Sequence, residues 1–111
     1  MSREEYLDTY LTMISLRGLT DHTLKSYRTY IFAYLDFVFD LLKKDPADVT
    51  RDEMRLFIKY LQQTRGLADR IINAAIAQLR FFTMYVLHKP WDPTQITLLY
   101  DDLCHSFGYN T

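Results

Sequence analysis

The chain has 111 residues with a formal net charge of −1, enough for one domain and one core. Its residues are 49% hydrophobic and 15% aromatic, which excludes disorder over most of the length. Only three Gly and three Pro argue against a loop-rich or all-β fold, and the single Cys104 excludes a disulfide framework or a cysteine-based zinc site. No stretch is apolar for long enough to span a membrane, and the N-terminal residues MSREEYLDTY lack the character of a signal peptide. A cytoplasmic protein without a membrane partner is the expectation.

Ser2 can cap a first helix, with Glu4 and Glu5 in the first turn, where the helix dipole favours acids. Tyr6, Leu7, Tyr10, Met13 and Ile14 follow at helical spacing up to about Leu16. Gly18 suits the left-handed position just past the end. Thr20 caps a second helix, whose inward stripe is Leu24, Tyr27, Ile31, Leu35 (or Tyr34) and Val38. That helix runs to Leu42 or Lys43, and Asp45-Pro46 breaks it. Thr50-Arg51-Asp52-Glu53 is a capping box that opens a third helix to about Thr64, with Met54, Phe57, Ile58 and Leu61 inward. Gly66 ends it. A fourth helix spans roughly 68–87, with Ile72, Ala75, Ile76, Leu79, Phe82 and Val86 in register. Pro90 and Pro93 forbid continuation, and Trp91 between them suits a plug that packs the chain's exit onto the bundle. Ile96 to Leu103 can form a short fifth helix, and Gly108 to Thr111 reads as a frayed end.

One feature organises these elements. Arg17-Gly18-Leu19-Thr20-Asp21 returns 48 positions later as Arg65-Gly66-Leu67-Ala68-Asp69. The same shift pairs Tyr6 with Met54, Tyr10 with Ile58, Ile31 with Leu79 and Tyr34 with Phe82. The expected fold is all-α, two helical hairpins with the same corner used twice. Any two amphipathic hairpins align to some degree, so the pairing alone leaves a common origin open.

The outward faces carry the candidate chemistry. Arg70, Asn73, Ala77 and Arg80 share one face of the fourth helix over roughly 15 Å. Arg can fork onto guanine and Asn onto adenine, while a small central residue permits close approach to a major groove. Gln78 is a candidate to extend this face. The same residues also suit a plain solvated face. At the start of the second helix, Thr20, Thr23, Lys25, Ser26 and Arg28 gather hydroxyls and cations around free backbone N–H groups, as phosphate contacts require. A simple N-cap with polar neighbours is the plainer alternative. Arg65 adds a cation at the second corner. The near-neutral total conceals asymmetry, since residues 51–89 hold seven Lys and Arg against three acids.

Catalytic arrangements are weak. His22, His88 and His105 share no metal-ligand spacing, and Cys104-His105 are neighbours that point apart. No phosphate loop or dinucleotide fingerprint occurs. Neither a cofactor nor a metal is expected.

Three stretches together resemble the N-terminal core-binding domain of tyrosine recombinases (phage integrases). They are Gly18-Leu19-Thr20 with Thr23 and Tyr27, then Val49-Thr50, then Asn73 with Leu79, Arg80 and Phe82. The resemblance covers about residues 2–94. It implies a four-helix, SAM-like bundle of two crossed hairpins as a core-binding unit over residues 1–94, with 95–111 as tail or linker. It also implies a task in DNA integration and recombination: sequence-specific binding of double-stranded DNA as half of a clamp. The partners it implies are a separate catalytic domain and other recombinase protomers. Thr20, Thr23, Arg70, Asn73 and Arg80 match its motifs, while Lys25, Ser26, Arg28 and Arg65 are added from local charge alone. The catalytic Tyr of that family and its Arg/His/Lys set belong to the other domain, so the chain alone is expected to be inert. Ala68 departs from the Ser or Thr usual at the second corner, leaving Asp69 to cap. A helical protein–protein module is the rival reading. Burial of Tyr30, Phe37, Phe39 and Phe81 favours the DNA reading, and their exposure would favour a partner protein.

Overall fold

The computed structural model describes residues 1–91. The proposed fifth helix, the tail, Cys104 and His105 lie outside the described residues. Helix α1 is Arg3–Ser15, α2 is Asp21–Asp36, α3 is Arg51–Gln63 and α4 is Asp69–Phe81. Among the described residues there is no strand, and the architecture is the expected all-α one. Within the hairpins α1 packs on α2 and α3 on α4. Between them, α2 packs on α4, and α1 packs on the end of α4.

Three of the four helices start on a side-chain cap. The Ser2 hydroxyl accepts from Glu5 N and the Glu5 carboxylate accepts from Ser2 N at 2.7 Å, a reciprocal box. Thr50 and Glu53 repeat it at α3. Thr20 Oγ1 accepts from Thr23 N at 3.3 Å at the start of α2. Ala68 stands at the N-cap of α4 in the same extended conformation but offers no side-chain acceptor, and Asp69 does not cap in its place. That expectation is corrected.

Both corner glycines are left-handed, Gly18 at φ 72° and Gly66 at φ 61°. Nothing lies within 4 Å of the position a Cβ would take at either. The glycines are therefore required by the backbone alone and not by crowding.

The ends of α2 and α4 differ from the simple α-helices of the sequence reading. Each widens into a π-helical segment, Phe37–Leu42 after α2 and Phe82–Val86 after α4. Each then stops at a left-handed residue that is not glycine, Lys43 at φ 55° and His88 at φ 57°. Lys44 N closes one end on the Val38 carbonyl at 3.1 Å, and Lys89 N closes the other on the Thr83 carbonyl at 3.0 Å. The two hairpins thus share their stops as well as their corners.

The segment between the hairpins is tied down at several points. Tyr6 Oη donates to the Asp45 carboxylate at 2.9 Å, and Asp45 accepts from Ala47 N. Burial, reinforced by that bond, pushes the Tyr6 phenol up to about 12. Lys44 Nζ lies 2.8 Å from the carboxylate of Glu53, which it holds below the usual carboxylate range together with the Thr50 N–H. Lys89 Nζ donates to the Ala47 carbonyl.

The core is aromatic at its centre. Phe82 is fully buried and its ring meets Tyr6, Tyr10 and Tyr34 at centroid distances of 6.0, 6.2 and 6.1 Å. Tyr34 stands edge-on to Phe57 at 5.2 Å, which brings α3 into the same cluster. Both alternatives offered for α2, Tyr34 and Leu35, are buried, whereas Leu24 and Tyr27 are only half-buried at the rim. Trp91 packs against the cluster, as the plug reading expected. Tyr34 Oη is buried with no hydrogen-bond partner among the described residues.

Two stability predictions follow from this geometry. Gly18→Ala and Gly66→Ala should each destabilise by about 1 kcal/mol, and by similar amounts, because only the left-handed backbone is at stake. Tyr34→Phe should stabilise by about 1 kcal/mol by deleting the orphaned hydroxyl while keeping the ring. Urea denaturation checks both; a loss of stability in Tyr34→Phe would show that the hydroxyl is satisfied.

Candidate nucleic-acid interface

Helix α4 turns Ile72, Ala75, Ile76 and Leu79 inward, which fixes its outward face. Arg70, Ala77 and Arg80 are exposed on that face and Asn73 is half-buried, so the spacing read from the sequence is realised. Among the described residues Arg70 and Arg80 have no ion-pair partner.

Gln78 must be removed from this face. It is only 4% exposed and its Oε1 accepts from Tyr10 Oη at 2.6 Å. A buried phenol needs an acceptor, and α4 supplies it. The signal was present in the spacing, since Ala75, Gln78 and Phe82 recur at i, i+3 and i+7, on the edge of the inward stripe.

The start of α2 sits beside α4 through a contact the sequence did not suggest. The guanidinium of Arg17, in the first corner, lies over the ring of Phe81 at 5.3 Å. Phe81 also stands edge-on to Tyr10 at 6.0 Å. The corner that delivers Thr20 and Thr23 is thereby anchored to the last turn of α4, next in sequence to Arg80. Thr20 Oγ1 donates to Thr23 Oγ1 at 3.0 Å, so the two hydroxyls are adjacent. Thr20 and Lys25 are exposed; Thr23 and Ser26 are half-buried.

Arg28 and Arg65 lie near a different surface feature. Arg28 lies over Phe32 at 5.5 Å, and Phe32 lines a surface groove with Asp36, Asp40, Leu41, Tyr60 and Arg65. Both acids of that groove bind Arg3, at 2.6 Å from Asp36 and 2.7 Å from Asp40. These two arginines are therefore grouped with an acid-containing groove and not with the face of α4.

The aromatic discriminator gives a graded answer. Phe37 is buried, and Tyr30, Phe39 and Phe81 are half-buried with their rings packed against the core. The exposed large apolar groups among the described residues are Met1, Leu16, Phe32, Leu41, Leu56 and Tyr85, with Leu16 the most exposed at 84%. Among the described residues no cluster of His, Cys, Asp and Glu can hold a metal ion, and no helix is long and apolar enough to cross a membrane.

The start of α4 yields a prediction. Ala68→Ser should stabilise by about 1 kcal/mol, because the N-cap conformation is already in place and only the acceptor is missing. A thermal melt should move up by about 4–8 °C; an unchanged melt would mean that the free N–H groups of α4 gain nothing from a cap.

Comparison with known proteins agrees with this architecture. The family described as phage integrase, N-terminal SAM-like domain, matches residues 6–93. Among curated proteins, tyrosine recombinase XerC of Herpetosiphon aurantiacus is 26% identical over 80 residues, 71% of this chain and 26% of that protein. Tyrosine recombinase XerC of Neisseria meningitidis serogroup B is 26% identical over 86 residues, 76% of this chain and 28% of its own length. Tyrosine recombinase XerC of a Roseiflexus species is 28% identical over 81 residues, 71% of this chain and 26% of that protein. The match thus spans only about a quarter of these relatives. No solved structure matches the chain.

Proposed function

Because the chain belongs to the family of phage-integrase N-terminal SAM-like domains, we propose that it is a sequence-specific, double-stranded DNA-binding domain of a site-specific tyrosine recombinase. The observation that carries the proposal is the outward face of α4. Arg70 and Arg80 stand exposed there without ion-pair partners among the described residues, with Ala77 between them. This is the arrangement that a helix in a major groove needs: arginines to reach bases or phosphates and a small residue to permit approach. Asn73 shares the face and is the group suited to adenine. Thr20, Thr23 and Lys25 at the start of α2 supply backbone contacts, which fix register without reading sequence. Ser26 is a weaker candidate because it is half-buried. Arg28 and Arg65, gathered at the groove, are the least suited of the nine to the same DNA surface.

In this reading residues 1–94 are the binding unit and the chain performs no chemistry by itself. The catalytic groups reside in a separate domain of the recombinase, and other protomers assemble with it on DNA. The protein–protein alternative rests on the Phe32 and Leu41 groove, which leaves the α4 face unexplained.

Fluorescence anisotropy with a labelled duplex of about 30 base pairs tests the reading at about 50 and 200 mM salt. Binding should be tighter at the lower salt. Arg70→Ala with Arg80→Ala should weaken it by about tenfold or more, the loss of one to two arginine contacts. Salt-independent binding, or an unchanged double variant, would overturn the assignment of α4.

A further inference from the structure

The Arg17–Phe81 contact lies at the rim of the core and holds an ordered cation at the surface. Arg17 is exposed, and among the described residues it forms no ion pair or hydrogen bond through its side chain. Its guanidinium is nevertheless held, 5.3 Å from the centroid of the Phe81 ring. That ring is itself fixed from two sides. Tyr10 stands edge-on to it at 6.0 Å, and Tyr85, one turn further along, lies 4.8 Å away. Besides the Phe81 ring, the Tyr10 hydroxyl is near enough to sense the charge of Arg17. An aromatic face orders a guanidinium without neutralising it, leaving its N–H edge free to donate.

The place of this cation on the surface matters. Phe81 follows Ala77 by four residues and Arg70 by eleven, so it continues the strip they occupy toward the C-terminal end of α4. Arg70 and Arg17 therefore flank Ala77, separated along the helix axis by roughly 16 Å at 1.5 Å per residue. The same Arg17 precedes the Thr20 cap by three positions. It therefore links the two elements of the proposed interface.

We propose that Arg17 is a phosphate-contacting residue of the DNA interface, and that Phe81 is its positioning residue. This rests on the DNA-binding reading above and adds to it a second anchor, supplied by the first corner and preset by the ring before DNA arrives. A held guanidinium loses less freedom on binding than a free one, so its phosphate contact is gained at lower entropic cost. Arg17, so placed, carries register rather than base preference.

The same anisotropy titration, run as a salt series with the whole chain, tests it. Arg17→Gln should weaken binding by about three- to tenfold and reduce the slope of log K against log salt by about 0.9, one phosphate contact. Phe81→Leu keeps the charge, so it should weaken binding while leaving the slope near the wild-type value. Phe81→Tyr, which restores a ring, should recover the affinity. Circular dichroism melts establish that each variant is folded. If Arg17→Gln binds with wild-type affinity and slope while the Arg70 and Arg80 variant is weakened, Arg17 is not a contact and the DNA reading survives. If Phe81→Leu matches wild type while Arg17→Gln is weakened, the positioning role is overturned. If the wild-type chain shows no salt-dependent binding, the DNA reading and the Arg17 inference both fall.

Discussion

The packing of Phe82 is the constraint on which the other elements depend. One fully buried ring touches Tyr6 and Tyr10 of α1 and Tyr34 of α2 from its place at the end of α4. Tyr34 passes the cluster on to Phe57 of α3. Two hairpins that each bury only one face have no stability apart from one another, and this aromatic centre is where they meet. Its neighbour in sequence, Phe81, also meets Tyr10 but lies at the rim of the core, where it holds Arg17. A shift in the rotation of α4 that loosened Phe82 would therefore also move the exposed arginines. Core packing and surface geometry are coupled through two consecutive residues.

Much of this was legible because the fold is written in periodicities and punctuation. The four helices, the Thr20 cap, the Thr50–Glu53 box and the left-handed glycines follow from local chemistry that does not depend on distant partners. The outward face of α4 was legible for the same reason, since the buried stripe fixes its opposite. What escaped depends on tertiary contacts. The π-helical ends of α2 and α4 leave no mark in the spacing of apolar residues, and their left-handed stops fall on Lys43 and His88 in place of the glycine that would have announced them. Gln78 was assigned outward by its polarity, although its buried partner Tyr10 lies 68 positions away in sequence. The Arg17–Phe81 contact spans a comparable separation, and although Arg17 opens the repeated corner, nothing in that motif pairs it with Phe81.

Net charge is an incomplete guide to the surface because several acids are paired locally. Asp36 and Asp40 bind Arg3, Glu53 binds Lys44, and Asp45 accepts from Tyr6. These contacts join α1 to the end of α2 and the linker to α3, so they serve the assembly of the hairpins. Arg70, Arg80 and Arg17 have no such carboxylate partner among the described residues. Surface ion pairs of this kind contribute little stability each. They leave Arg70 and Arg80 on α4 without a carboxylate partner among the described residues, although the exposed Asp69 opens the same helix. A total of −1 is compatible with a locally positive face, and a polyanion responds to the local field.

The two corners show how a repeated motif can diverge in use while keeping its geometry. Gly18 and Gly66 hold nearly the same φ, and Thr20 and Ala68 the same extended cap conformation. The backbone path is therefore retained where the side chains differ. The first corner keeps its hydroxyl and points its arginine across onto α4. In the second corner the hydroxyl is gone, and Arg65 turns into the groove beside Phe32. Arginines at matching positions of the repeat thus reach different surroundings, the Phe81 ring of α4 for Arg17 and the groove beside Phe32 and Tyr60 for Arg65. Position in a repeat sets the direction of the backbone, and the neighbouring hairpin decides what the side chain can do.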